Sequence, residues 1–201
     1  MDFSVNPYIL TGLVMCLVLL IALIGTAYLA VFFNRRAKAD LEAALAPLAA
    51  RVSGEINLDE AEVTGSLGEF RVFARMANAS EGPGRVFQTD VLDAAGGVGW
   101  QYTSNPARDG TGHSVEFSGP EALRAELEPV IEQGVTAFLD PDSERFRVEY
   151  LVDKGFVRLV RAMRTRRDIP TEDVFARQLD MLTAVADRNR SYMQSLAEDA
   201  R

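Results

Sequence analysis

The chain has 201 residues, with 29 acidic against 21 Lys and Arg side chains and a formal net charge of −8. That balance argues against a nucleic-acid partner, whose phosphates call for a basic surface. The single cysteine rules out an intrachain disulfide framework. Once any membrane segment is set aside, the length still allows one ordinary domain with its own core.

Residues 8–33 read YILTGLVMCLVLLIALIGTAYLAVFF and carry no charge. At about 1.5 Å per residue such a helix exceeds the ~30 Å hydrocarbon core, so it can span a bilayer with some tilt. In lipid the backbone must satisfy its own hydrogen bonds, which selects a helix. A signal peptide fits poorly: no Lys or Arg precedes the run, the apolar stretch is too long, and Val31, Phe32 and Phe33 make a poor cleavage context. A lipoprotein signal ending at Cys16 fails because Met15 precedes it where a small residue is needed. Tyr8, Phe32 and Phe33 suit the two membrane interfaces, and Arg35, Arg36 and Lys38 follow directly. The positive-inside rule therefore expects a non-cytoplasmic tail at residues 1–7 and a cytoplasmic remainder. Ala22, Thr26 and Ala30 recur at a spacing of four with Gly25 beside them, and Gly12 and Cys16 form a second small pair. Small residues at that spacing let membrane helices approach closely, and they also occur in any membrane helix.

Beyond the anchor, Leu41, Leu45, Leu48 and Val52 fall at helical spacing. They predict an amphipathic juxtamembrane helix within residues 34–54 that Pro47 kinks or interrupts and Ser53-Gly54 ends. Residues 55–201 read as one α+β domain. Period-two patterning predicts strands at 61–67, 70–76 and 85–92. Ala95-Gly96-Gly97 reads as a hairpin turn into a strand at 98–103, and 114–117 as a short further strand. Ser118 is expected to cap a helix striped by Leu123, Leu127, Val130 and Ile131 and ended by Gly134, followed by a strand at 135–139. Residues 145–152 and 156–163 alternate around the turn Asp153-Lys154-Gly155. Thr171 caps a long final helix lined by Phe175, Leu179, Leu182 and Ala186. The expected architecture is a mostly antiparallel sheet with two or three helices on one face.

The search for chemistry yields little. His113 is the only histidine; Ser114 beside it points to the opposite face of a strand, so the pair cannot form the nucleophile and base of a triad. One histidine and no cysteine in the domain leave no zinc set. Gly96, Gly97 and Gly99 lack the Lys-Ser/Thr and the helix of a phosphate loop. Asp140, Asp142 and Glu144 begin like a calcium loop, but Pro141 and the missing downstream glycine and glutamate break it. Asn78-Ala79-Ser80 has the form of a glycosylation sequon, irrelevant on a cytoplasmic domain. The densest charge run is Arg158, Arg161, Arg164, Arg166 and Arg167. It reads as a docking patch for an acidic partner or anionic lipid headgroups, or as a solvated strand balanced by Asp168, Glu172 and Asp173.

The residues imply no cofactor and no catalytic set. The favoured expectation is a non-catalytic accessory or structural subunit that stabilises or assembles a larger membrane complex, a respiratory or photosynthetic one being a fitting setting. The alternative is a free-standing tethered module that recruits or senses a partner. Last comes an anchored enzyme using carboxylates such as Asp90, Asp93 or Glu149.

Overall fold

The computed structural model describes residues 7–79, 84–94, 96–107 and 112–199. The chain divides into two compact units, Met1–Asp40 and Leu41–Arg201. Within the first unit, the described residues form most of a long helix, α1 (Pro7–Arg51). The second unit holds the end of α1 and eight strands: β1 (Glu55–Asn57), β2 (Glu62–Leu67), β3 (Phe70–Asn78), β4 (Arg85–Leu92), β5 (Trp100–Pro106), β6 (His113–Ser118), β7 (Phe146–Leu151) and β8 (Phe156–Met163). Helix α2 (Glu121–Thr136) follows β6 and α3 (Glu172–Asp199) follows β8. The α+β class is as expected.

Pro47 lies inside α1 and does not interrupt it. An internal proline costs about 3 kcal/mol. Leu45, Leu48 and Val52 on the same stretch are fully buried, and each such side chain returns about 1.5–3 kcal/mol. Burial therefore outweighs the lost N–H bond. The helix stops where Ser53 turns to φ 48° and the Gly54 amide reaches back to the Ala49 carbonyl at 2.9 Å.

All eight strands join one antiparallel sheet in the order β1-β2-β3-β4-β8-β7-β5-β6. The expected hairpin between β4 and β5 does not exist. β4 pairs with β3 and β8, while β5 pairs with β7 and β6. Ala95 lies outside the described residues, but its neighbours show what the glycines do instead. A Cβ on Gly96 would overlap Asn189 and the Tyr150 ring, and one on Gly97 would overlap Met193. The crossover is held by the Tyr150 hydroxyl, which donates to the Gly96 carbonyl at 2.9 Å, and by Asn189. Asn189 accepts from Trp100 Nε1 at 3.0 Å and donates to the Ala94 carbonyl at 3.3 Å. These glycines allow close approach to α3.

Two helix boundaries also differ from expectation. Ser118 ends β6, and the N-cap of α2 is Pro120 with no side-chain cap bond. Gly134 does not end α2, which runs on to Thr136, so Val135 is helical and no strand forms at 135–139. Gly134 sits in the helix because a Cβ there would lie 2.7 Å from Met181 Cβ on α3. The β7–β8 hairpin forms as predicted, with Leu151 opposite Phe156 and Gly155 in the left-handed region at φ 65°. β8, at Phe156–Met163, and the Thr171 cap of α3 also match, the Thr171 hydroxyl accepting from the Val174 amide at 3.5 Å.

Strand alternation gives the sheet two unlike faces. One carries Val72, Ala74, Phe87, Val91, Tyr102, Val148, Val157 and Leu159. It shares a single core with Leu45 and Leu48 of α1, Val52 just after it, Leu123, Leu127 and Ile131 of α2, and Phe175, Leu179 and Leu182 of α3. The other carries Arg75, Gln88, Asp90, Arg147, Glu149 and Arg158, interspersed with Phe73, Val86 and Val160.

Candidate functional site

Two features stand out, one in each unit. The first is the apolar part of α1. It is long and apolar enough to cross a membrane, with a mean hydropathy of 2.7, and none of that stretch is buried. Leu13, Val14, Val18, Leu19 and Leu23 are all at least half exposed although they point in different directions around the helix. A helix that is apolar on every side belongs in a core or in lipid. Among the described residues nothing supplies that core.

The sequence-predicted packing residues Gly12, Cys16, Ala22, Gly25, Thr26 and Ala30 all lie on this exposed helix. A Cβ added at Gly12 or Gly25 would meet no described atom within 4 Å. Neither glycine is therefore required by a contact with the described residues. The Thr26 hydroxyl donates to its own helix, at 3.0 Å from the Ala22 carbonyl and 2.9 Å from that of Leu23, which hides its proton and leaves a small surface. Tyr8, Phe32 and Phe33 are exposed, the last two stacked edge-to-face at 5.8 Å. Arg35, Arg36 and Lys38 follow, exposed, in the next turn.

The second feature is the face of the sheet opposite the helices. The arginine run does not form one patch there. Arg158 and Arg161 are three apart on β8 and point to opposite faces. Arg158 grips Asp90 with two bonds, Nε at 2.7 Å and Nη2 at 2.8 Å, with a Glu149 oxygen at 3.9 Å from Nη1. These carboxylates raise the Arg158 pKa, the Asp90 hydrogen bond contributing most. Its guanidinium also stacks over the Phe156 ring at 4.7 Å, and its side chain is 12% exposed. Arg161 turns to the helix side and meets Glu144 at 3.1 Å. Arg164 and Arg167 are exposed beyond the strand, and the Arg166 side chain lies outside the described part. Asp168 gathers this turn by accepting the amides of Arg164 at 2.7 Å and Thr165 at 2.6 Å. These bonds hold its carboxyl below the usual range. Arg158 and Arg161 are thus structural ion-pair partners.

The carboxylates named for an anchored enzyme are similarly engaged. Asp90 is held by Arg158, and Glu149 lies between Arg147 at 3.2 Å and Arg158. Asp93 takes two bonds from Arg71, the main reason its carboxyl is held below the usual range. His113 places Nδ1 2.8 Å from Asp142 Oδ1, tying the loop before β7 to the start of β6, while the Ser114 hydroxyl donates to the Asn105 carbonyl at 3.4 Å. Beside them, Tyr102, Glu132 and Phe146 line a cavity of about 150 Å³. Tyr102 is fully buried; burial, then nearby Glu132, raises its pKa. Sequence reasoning missed the His113–Asp142 pair because the partners lie on separate elements with no recognisable spacing. Among the described residues, no group of three or more His, Cys, Asp or Glu side chains is arranged to hold a metal ion.

Sequence reasoning also missed a cavity of about 250 Å³ where β4 and β7 begin and β8 ends. Its lining includes Arg85, Arg145 and Arg147, with Val86, Val160 and Ala162. No motif signals it, because its members are scattered over three strands.

Compared with known protein families, curated proteins and solved structures, the chain matches none of them.

Proposed function

We propose that this chain is a non-catalytic, single-pass membrane accessory subunit that stabilises or assembles a larger membrane complex. The observation that carries the reading is the all-round exposure of an apolar helix whose glycines, Gly12 and Gly25, face no described atom. Lipid satisfies the leucines on every side, but lipid gives no reason for Gly12 and Gly25. A neighbouring membrane helix does, because small residues let two backbones approach and gain dispersion contact. The engagement of Asp90, Asp93 and Glu149 by arginines favours a scaffold over an anchored enzyme. Extraction in mild detergent, followed by sizing and identification of what travels with the chain, tests this reading. A large stoichiometric assembly is expected; a lone monomer would contradict it.

In this reading residues 8–33 cross the membrane with the amino end outside and the domain in the cytoplasm. Arg35, Arg36 and Lys38 support that orientation, since basic residues stay on the cytoplasmic side. In a Cys16→Ser background, a cysteine placed at Lys154, which is exposed on the β7–β8 turn, reports the side directly. A membrane-impermeant maleimide should label it only after the cells are opened. Labelling on intact cells would reverse the orientation.

A second reading, a tethered module that recruits a soluble partner, is favoured by the polar, helix-free face of the sheet. It predicts a monomer in detergent that captures its partner only through the domain.

A further inference from the structure

The cavity of about 150 Å³ beside His113 lies on the helix side of the sheet, between the last turns of α2 and strands β5, β6 and β7. Strand register explains how it forms. His113 on β6 sits opposite Pro106 of β5, and Phe146 on β7 sits opposite Ser104, so both share the face of Tyr102, which points toward the helices. On α2, Glu132, Val135 and Thr136 recur at spacings of three and four and line the other wall. Pro141, in the loop before β7, completes the lining. Tyr102, Val135 and Phe146 are buried, and the Tyr102 and Phe146 rings stack at 5.9 Å, so the hollow has an aromatic floor.

The polar groups around it are incompletely matched. Tyr102 is fully buried, yet the partner of its hydroxyl is the Glu132 carboxylate at 3.5 Å, long for an O–H···O bond. Burial first, then the Glu132 and Glu128 charges, raise the Tyr102 pKa, so the hydroxyl keeps its proton. Glu128, one turn earlier on α2, is engaged by Arg124 Nε at 3.0 Å. Glu132 stands at the exposed rim, and among the described residues no Lys, Arg or His pairs with it. The Asp142 carboxylate, 2.8 Å from His113 Nδ1, selects the tautomer with the proton there, which leaves Nε2 of the neutral ring as an acceptor. The hollow thus sets a carboxylate without a described counter-ion beside an aromatic floor.

We propose that this cavity binds a small organic cation: a primary amine whose ammonium group pairs with Glu132 beside the Tyr102 hydroxyl and whose apolar body lies on Val135, Pro141 and Phe146. A cavity near 150 Å³ is of the size that admits benzene, so the body is a single ring or a chain of about six carbons. The aromatic floor adds to the preference, because the face of a ring attracts a cation. Glu132 repels an organic anion, and a neutral alcohol leaves the carboxylate without its counter-charge. This inference does not rest on the accessory-subunit reading, since every lining residue belongs to the domain.

The test uses the full chain in phosphatidylcholine nanodiscs at low ionic strength and isothermal titration with benzylamine and n-pentylamine, corrected against empty discs. Benzyl alcohol and ammonium chloride serve as controls, the first lacking the charge and the second the body. At least one amine should bind saturably and the controls should not. Glu132→Gln should weaken amine binding about tenfold, the order expected for losing one charge-assisted contact. Glu126→Gln removes an exposed carboxylate of α2 that lies outside the lining, and it should bind as the native chain does. That variant separates the site from general attraction to an acidic surface. Thr136→Leu should lower affinity without changing charge, because Thr136 is an exposed lining residue and its replacement narrows the hollow. Thermal melting by Trp100 fluorescence checks that each variant is folded. Absence of saturable amine binding, benzyl alcohol binding as well as benzylamine, or equal affinity in Glu132→Gln and Glu126→Gln would overturn the proposal.

Discussion

At the scale of single residues, the helix-free sheet face is governed by one arginine. Arg158 holds Asp90 with two short bonds, reaches toward Glu149 and covers the Phe156 ring. Asp90 is only 6% exposed, so Arg158 takes the place of the water it has lost. Arg158→Ala should cost about 3–5 kcal/mol, because it leaves a nearly buried carboxylate without its counter-charge. Replacing both partners by apolar residues, Asp90→Leu with Arg158→Met, should recover most of that loss. Urea denaturation of the detergent-solubilised chain measures both. A loss under 1 kcal/mol in the single variant would show that Asp90 finds another partner or water. Sequence reading ranked Arg158 with its basic neighbours as a docking cation. Its partner lies on β4, far along the chain, and no local spacing reveals a cross-strand pair.

At the scale of elements, what could be read in advance followed locality. β8 and its hairpin with β7 were legible because alternation and a left-handed glycine act within a few residues. The long apolar helix was legible because sustained apolarity is a local property of the sequence that needs no distant partner to be read. The β4–β5 connection misled because a glycine that permits a turn and one that permits close approach look alike in sequence. Gly96 meets Asn189 and Tyr150, residues distant in the chain, and only the fold distinguishes the two uses. Gly134 misled in the same way and gives a direct prediction. Its Cβ would meet Met181 near the α3 backbone, where the side chain cannot swing aside. Gly134→Val should destabilise the domain by about 1–3 kcal/mol through overpacking of α2 on α3. Met181→Ala should be less harmful in that background than alone, and a denaturation double-mutant cycle reads the coupling. Strict additivity of the two substitutions would show that α2 moves away without strain.

At the scale of the whole molecule, the account rests on a helix that is apolar on every side and whose two glycines, Gly12 and Gly25, leave space that no described residue fills. Substituting these residues leaves the domain core untouched, since Ala22, Thr26 and Ala30 lie outside its buried set. The most direct test replaces all three with leucine. It compares the variant with the native chain by extraction from native membranes in mild detergent, sizing, and identification of companions. Expression level and the Trp100 fluorescence melt should be unchanged, because leucine remains compatible with lipid and with the helix. The native chain should travel in a large stoichiometric assembly, and the leucine variant should be released as a small species, because the wider side chains hold neighbouring backbones apart. Equal co-purification of the two would contradict the helix-packing claim, and a native chain that travels alone would contradict the accessory-subunit reading altogether.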